Sequence, residues 1–280
     1  MKIRIIPVFL LLLYSASHAA VVDTVSIPSR AMGRSFKCVV IKPDNYHSSL
    51  GKFRDKSYPV VYLLHGYGGW YSNWVTRIPE LVKYADKYQF IIVCPEGKNS
   101  WYIDSPVDTN MKFETYVGVE VPAWIDKHYN TIKDRTGRAI TGNSMGGHGG
   151  LYLGYRQSGT FGACGSMSGG VYLRPFPKNW QLMKRLGDTI SKAENWEKYS
   201  VINVVEKYPK DSIAIIIDCG TDDFFFDVNN MLHTKMEKLK IPHEYIERPG
   251  QHNWDYWKNA IQYHFLFFSN YFEKGAKMKK

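Results

Sequence analysis

The chain has 280 residues, 44% of them hydrophobic and 15% aromatic, with a formal net charge of +10. That apolar content excludes intrinsic disorder and supports a large buried core. The basic residues are scattered except in the tail "KGAKMKK", and no basic helix or aromatic–basic motif is present, so nucleic acid is not an expected partner.

The N-terminus reads "MKIR", then the apolar run "IIPVFLLLLY", then "SASHA". This is the pattern of a secretory signal peptide over residues 1–19, cut after Ala19, with Ser17 and Ala19 as the small residues before the cut. The apolar run is too short for a transmembrane helix, which needs about 20 residues. The mature chain, 20–280, is therefore expected to be secreted or periplasmic, without an integral membrane segment. No linker or repeat divides it, so a single domain is expected.

"VVDTVSI" and "SFKCVVIK" read as two strands joined by a polar turn. "YPVVYLL", "QFIIVCP", "RAIT", "ACGSMS" and "IAIII" are short, nearly continuous apolar runs, which suit strands buried on both faces. Helical patterns alternate with them. "ETYVGVEVPAWIDKHY" is one; a second puts Val228, Met231, Leu232, Met236 and Leu239 on one face. The last helix carries Trp257, Ile261, Phe265, Phe268 and Phe272 at spacings of three and four. The alternation predicts an α/β fold with a mainly parallel central sheet flanked by helices. Cys38, Cys94, Cys164 and Cys219 have neither CxxC nor metal-ligand spacing, and are expected to be free buried thiols. Neither a metal nor a cofactor is expected.

Ligands in such sheets sit at the carboxyl ends of the strands. One strand ends in "TGNSMGGHGG", and "GNSMG" fits G-x-S-x-G between a strand and a helix. In that turn the chain reverses sharply and a serine is presented at its apex; Gly142 and Gly146 remove the side chains that would collide. Ser144 is the candidate nucleophile. A serine hydroxyl needs a base, and the base needs an orienting group. Downstream, His148 lies one turn along the same helix and points away. His233 and His264 fall inside helical patterns, and His243 opens a predicted strand. His252, in the loop "RPGQHNWDYW", can swing over Ser144 and is the candidate base. For the orienting acid, "IAIIIDCGTDDFFF" offers Asp218 at the strand end, plus Asp222 and Asp223 in the loop; spacing does not separate the last two. An oxyanion would be held by the N–H of Met145 and by that of Tyr67 in "HGYGG".

"YLLHGYGGWYSNW", "GNSMGGHGG", "CGTDD" and "GQHNWDYW", in this order, resemble the esterase D-like family of α/β hydrolases. That family includes feruloyl and acetyl xylan esterases, S-formylglutathione hydrolases and mycolyltransferases. The resemblance runs from about Val22 to Phe272. It implies the α/β-hydrolase fold, with Ser144, Asp223 and His252 as the catalytic triad and Tyr67 and Met145 as the oxyanion donors. It also makes "NSWYIDSP" an active-site wall, with Trp101 and Tyr102 as substrate contacts. Asn143 departs from the usual pattern, at a side chain that need not touch substrate.

The expected activity is therefore hydrolysis of short acyl or feruloyl esters on carbohydrate, with a small-molecule or polysaccharide ester as partner. Thioester hydrolysis, acyl transfer with the same triad, and a non-catalytic carbohydrate-binding relative are the alternatives. Trp70, Tyr71, Trp74 and Trp254 join Trp101 and Tyr102 as expected rim aromatics, and "VYLRPFPKNW" reads as a polar rim.

Overall fold

The computed structural model describes residues 21–46, 56–208 and 213–278; the proposed signal peptide lies outside them. Eight strands form one sheet: β1 (Val21–Ser29), β2 (Arg34–Lys42), β3 (Val60–Leu64), β4 (Ile91–Pro95), β5 (Arg138–Gly142), β6 (Ala163–Met167), β7 (Ala214–Gly220) and β8 (Glu244–Arg248). Their order is β1-β2-β4-β3-β5-β6-β7-β8. β1 pairs with β2, and β2 with β4, in antiparallel fashion; every later pair is parallel. This is the α/β-hydrolase architecture predicted from the alternating pattern.

Between β3 and β5 come α1 (Asn73–Arg77), α2 (Leu81–Tyr88), α3 (Phe113–Thr115) and α4 (Val121–His128). The expected helix over "ETYVGVEVPAWIDKHY" is interrupted by a π-helical turn, Tyr116–Glu120, between α3 and α4. α5 (Met145–Arg156) follows β5 directly, and α6 (Leu182–Leu186), α7 (Ala193–Lys198) and α8 (Val201–Val204) lie between β6 and β7. α9 (Phe226–Leu239) and α10 (Trp254–Met278) follow β7 and β8.

The central strands are buried on both faces, which is why they read as unbroken apolar runs. Alternate residues serve different cores: Val60, Tyr62 and Leu64 pack with residues of α5 and α9, whereas Val61 and Leu63 pack with residues of α2 and α10. Of the face predicted for α9, Val228, Leu232 and Met236 are buried, but Met231 is 48% exposed. The buried stripe of α9 is narrower than the run of apolar residues. All four cysteines are buried and free. Among the described residues, no helix is long and apolar enough to cross a membrane.

Candidate active site

The parallel strands point the same way, so the loops after β3, β5, β7 and β8 meet at one end of the sheet. Ser144 sits between β5 and α5 with φ 58° and ψ −118°. A side chain is costly at positive φ, and such strain is retained where the surrounding fold enforces it. The enforcement is steric. A Cβ on Gly142 or Gly146 would run into the carbonyl oxygen of Leu64 on β3, so the turn closes only with glycine at both places.

His252 Nε2 lies 2.8 Å from Ser144 Oγ, and His252 Nδ1 lies 2.9 and 2.8 Å from the two carboxylate oxygens of Asp223. With Nδ1–H donating to the carboxylate, Nε2 is left to accept from the serine hydroxyl. The Asp223 side chain is buried, and it also accepts from the N–H of Phe225 at 2.8 Å. Asp222 is exposed, and its N–H bonds to the Gly250 carbonyl at 3.0 Å. The structure thus separates the two carboxylates that spacing left equivalent. Asp218 lies within β7, two residues before its end, fully buried and bound by Arg248 and by the hydroxyl of Tyr256. Burial dominates there and pushes its pKa up to about 6, against the pull of both partners.

The other four histidines downstream of Ser144 are bonded away from it. His148 bonds to the carbonyls of Trp101 and Tyr199, both at 2.9 Å, and His264 Nδ1 pairs with Thr141 Oγ1 at 2.9 Å. His233 and His243 bond to each other at 2.8 Å.

The N–H groups of Tyr67 and Met145 have no hydrogen-bond partner among the described residues. The loop carrying Tyr67 is held by the residues before it. His65 Nδ1 bonds to the Gly66 carbonyl at 2.8 Å, and the Gly97 N–H donates to His65 Nε2 at 2.9 Å. These partners fix the ring as the Nδ1–H tautomer and join the loops after β3 and β4.

The cleft above Ser144 has a volume of about 300 Å³. Trp180, Phe224, Trp70, Arg77, Trp254 and Trp257 are among the residues that line it. Phe224 packs on His252 with ring centroids 4.1 Å apart, and Trp180 stacks on Phe224 at 5.6 Å and 20°.

Trp101 and Tyr102 do not line this cleft, contrary to expectation. Both are buried, at 1% and 0% exposure. The Trp101 indole N–H donates to the Trp180 carbonyl at 3.2 Å, and the Tyr102 hydroxyl to the His65 carbonyl at 3.0 Å. They brace the two walls from beneath. Trp74 is also buried, donating to the Leu64 carbonyl at 2.9 Å. Trp180, Phe224, Trp257 and Arg77 were missed as cleft residues. "FFF" directly after the acid pair was a signal for Phe224, whereas Trp180 lies in the stretch read as a polar rim.

A family model described as "Putative esterase" matches residues 29–268. The chain is 29% identical over 215 residues to an acetyl esterase of Caldicellulosiruptor saccharolyticus, covering 72% of this chain and 79% of that one. It is 28% identical over 243 residues to an esterase of Mycobacterium tuberculosis, covering 76% of this chain but only 51% of that relative's length. A solved ferulic acid esterase superposes with a TM-score of 0.76 at 29% identity, over 91% of this chain and 99% of that one. The chain belongs to this esterase family and is a carboxylic ester hydrolase of the α/β-hydrolase fold.

Proposed function

We propose that the protein is an exported serine esterase, a single domain over residues 20–280, that removes short acyl or feruloyl groups from carbohydrate through an acyl-enzyme. The observation that carries the mechanism is the unbroken chain of hydrogen bonds from Asp223 through His252 to Ser144. His252 takes the proton of Ser144 as Oγ attacks the ester carbonyl. Asp223 keeps the imidazole oriented and stabilises the cation that forms. The carbonyl oxygen, now negative, is received by the free N–H groups of Tyr67 and Met145. His252 then gives its proton to the departing alcohol. Water repeats the sequence in reverse and releases the acid.

The aromatic cleft supports a planar or short acyl group. Rigid rings bury such ligands at low entropic cost, and a cleft of about 300 Å³ is at the small end for ligand sites. The test compares kcat/KM on acetylated xylan fragments, methyl ferulate, S-formylglutathione and a long-chain ester. Preference for the first two is expected. Preference for the thioester or the long chain would overturn the substrate class and leave the triad standing.

A further inference from the structure

The residues lining the cleft differ in chemistry. Trp180 and Phe224 form a stacked, apolar aromatic pair. Arg77 is the one lining residue with a permanent charge, and no carboxylate lines the cleft. Arg77 has no acidic partner among the described residues; Glu80, three residues on, is held by Lys258 at 2.7 Å.

The Arg77 guanidinium lies 6.0 Å from the ring centroid of Trp254. That ring is itself fixed edge-on by Trp74 at 5.1 Å and by Trp257 at 5.2 Å. Trp257 also packs on His252, with ring centroids 5.0 Å apart, and Arg77 lines the same cleft as Ser144 and His252, so an anion at Arg77 would share the cleft with the reacting groups. A flat guanidinium with free donors suits a carboxylate, which it can bind in bidentate fashion.

We infer that Arg77 and Trp254 form a subsite for a carboxylate on the alcohol portion of the ester, so that the preferred substrate is an acyl ester of an acidic sugar. The inference rests on the esterase reading above: with the acyl group on the Trp180–Phe224 pair, Arg77 and Trp254 are left for the alcohol. Trp254 offers the sugar ring a face, and Arg77 reads its charge. Loss of Lys2 and Arg4 with the proposed signal peptide takes the formal charge from +10 to +8, which adds long-range attraction for such a polymer.

The test uses the full chain and two feruloyl esters, one of a glucuronic-acid-type sugar and one of its neutral amide. The acidic ester should be favoured in kcat/KM by about fivefold at low salt, the upper range for an exposed ion pair. The preference should shrink towards unity near about 1 M salt, where the screening length is about 3 Å. Arg77→Gln should lower the ratio to near one, and Arg77→Glu should reverse it. Equal turnover of the two esters by the unaltered enzyme, or a ratio that survives Arg77→Gln, overturns the subsite. Binding of the two non-hydrolysable amide-linked analogues to Ser144→Ala protein, followed by tryptophan fluorescence, measures the same preference without chemistry. Failure of the esterase reading shows as absent turnover; failure of the subsite shows as equal or undetectable binding of the two analogues.

Discussion

The hydroxyl of Tyr102 donates to the backbone carbonyl of His65 at 3.0 Å, two residues before Tyr67 in the cleft wall. A side chain with no access to the cleft therefore holds the loop that carries a proposed oxyanion donor. Tyr102→Phe leaves that buried carbonyl unpaired, at a cost of about 1–3 kcal/mol. The displaced Tyr67 N–H should lower kcat by about three- to tenfold with little change in KM, since outright removal of such a donor costs more. Thermal unfolding and steady-state kinetics read the two effects. A lower melting temperature with unchanged kcat would reduce Tyr102 to a packing role.

Ser144→Ala should keep the fold and lose nearly all turnover, together with labelling by a fluorophosphonate probe. Only the serine oxygen is removed, and the positive-φ turn remains because the glycines on either side remain. Turnover above about a tenth of the unaltered enzyme would rule out Ser144 as the nucleophile.

Asp223→Asn should lower kcat by several orders of magnitude, about 10⁴-fold in the type case, because an amide cannot enforce the same imidazole tautomer. Asp222→Asn should cost little, since its exposed side chain meets none of the reacting groups and its backbone N–H is unaltered. Kinetics of the two variants under one assay decide the matter; the reverse ranking would transfer the orienting role to Asp222.

Stability should fall in acid partly because of His264. Burial, aided by the nearby positive charge of Arg248, lowers its pKa from 6.5 to about 3. A depressed histidine stabilises the fold above its unfolded pKa, and that contribution is lost as pH falls from about 6.5 towards 3. It is worth on the order of 5 kcal/mol across the window. Asp218 works in the opposite sense: its raised pKa favours the fold at low pH, and that contribution is lost as pH rises from about 4 through 6. Urea unfolding at stepped pH should therefore show a shallower acid limb for His264→Gln than for the unaltered protein. Parallel acid limbs would mean that His264 is already protonated in the fold.

Local sequence carried the elements because their causes are local. Strands buried on both faces are mostly apolar, so β3, β4 and the first half of β7 read directly as apolar runs, while the buried polar residues of β5 and β7 find partners, Arg138 with Asp126 and Asp218 with Arg248 and Tyr256. The elbow at Ser144 was legible because a sharp strand-to-helix turn beside Leu64 admits only glycine at 142 and 146. The direction of a side chain is different: it depends on neighbours remote in the chain. Asp222 and Asp223 are adjacent and chemically alike, and only the docking of the β8 loop on the β7 loop turns one outward and the other towards His252. Trp101 and Tyr102 looked like an aromatic rim, yet their partners are Trp180 and His65, and those contacts draw both rings beneath the cleft. The wall itself joins Arg77, Trp180, Phe224 and Trp254 from four separate loops or helix ends. No local period or spacing records such a meeting, because it is created by the order in which the strands assemble in the sheet.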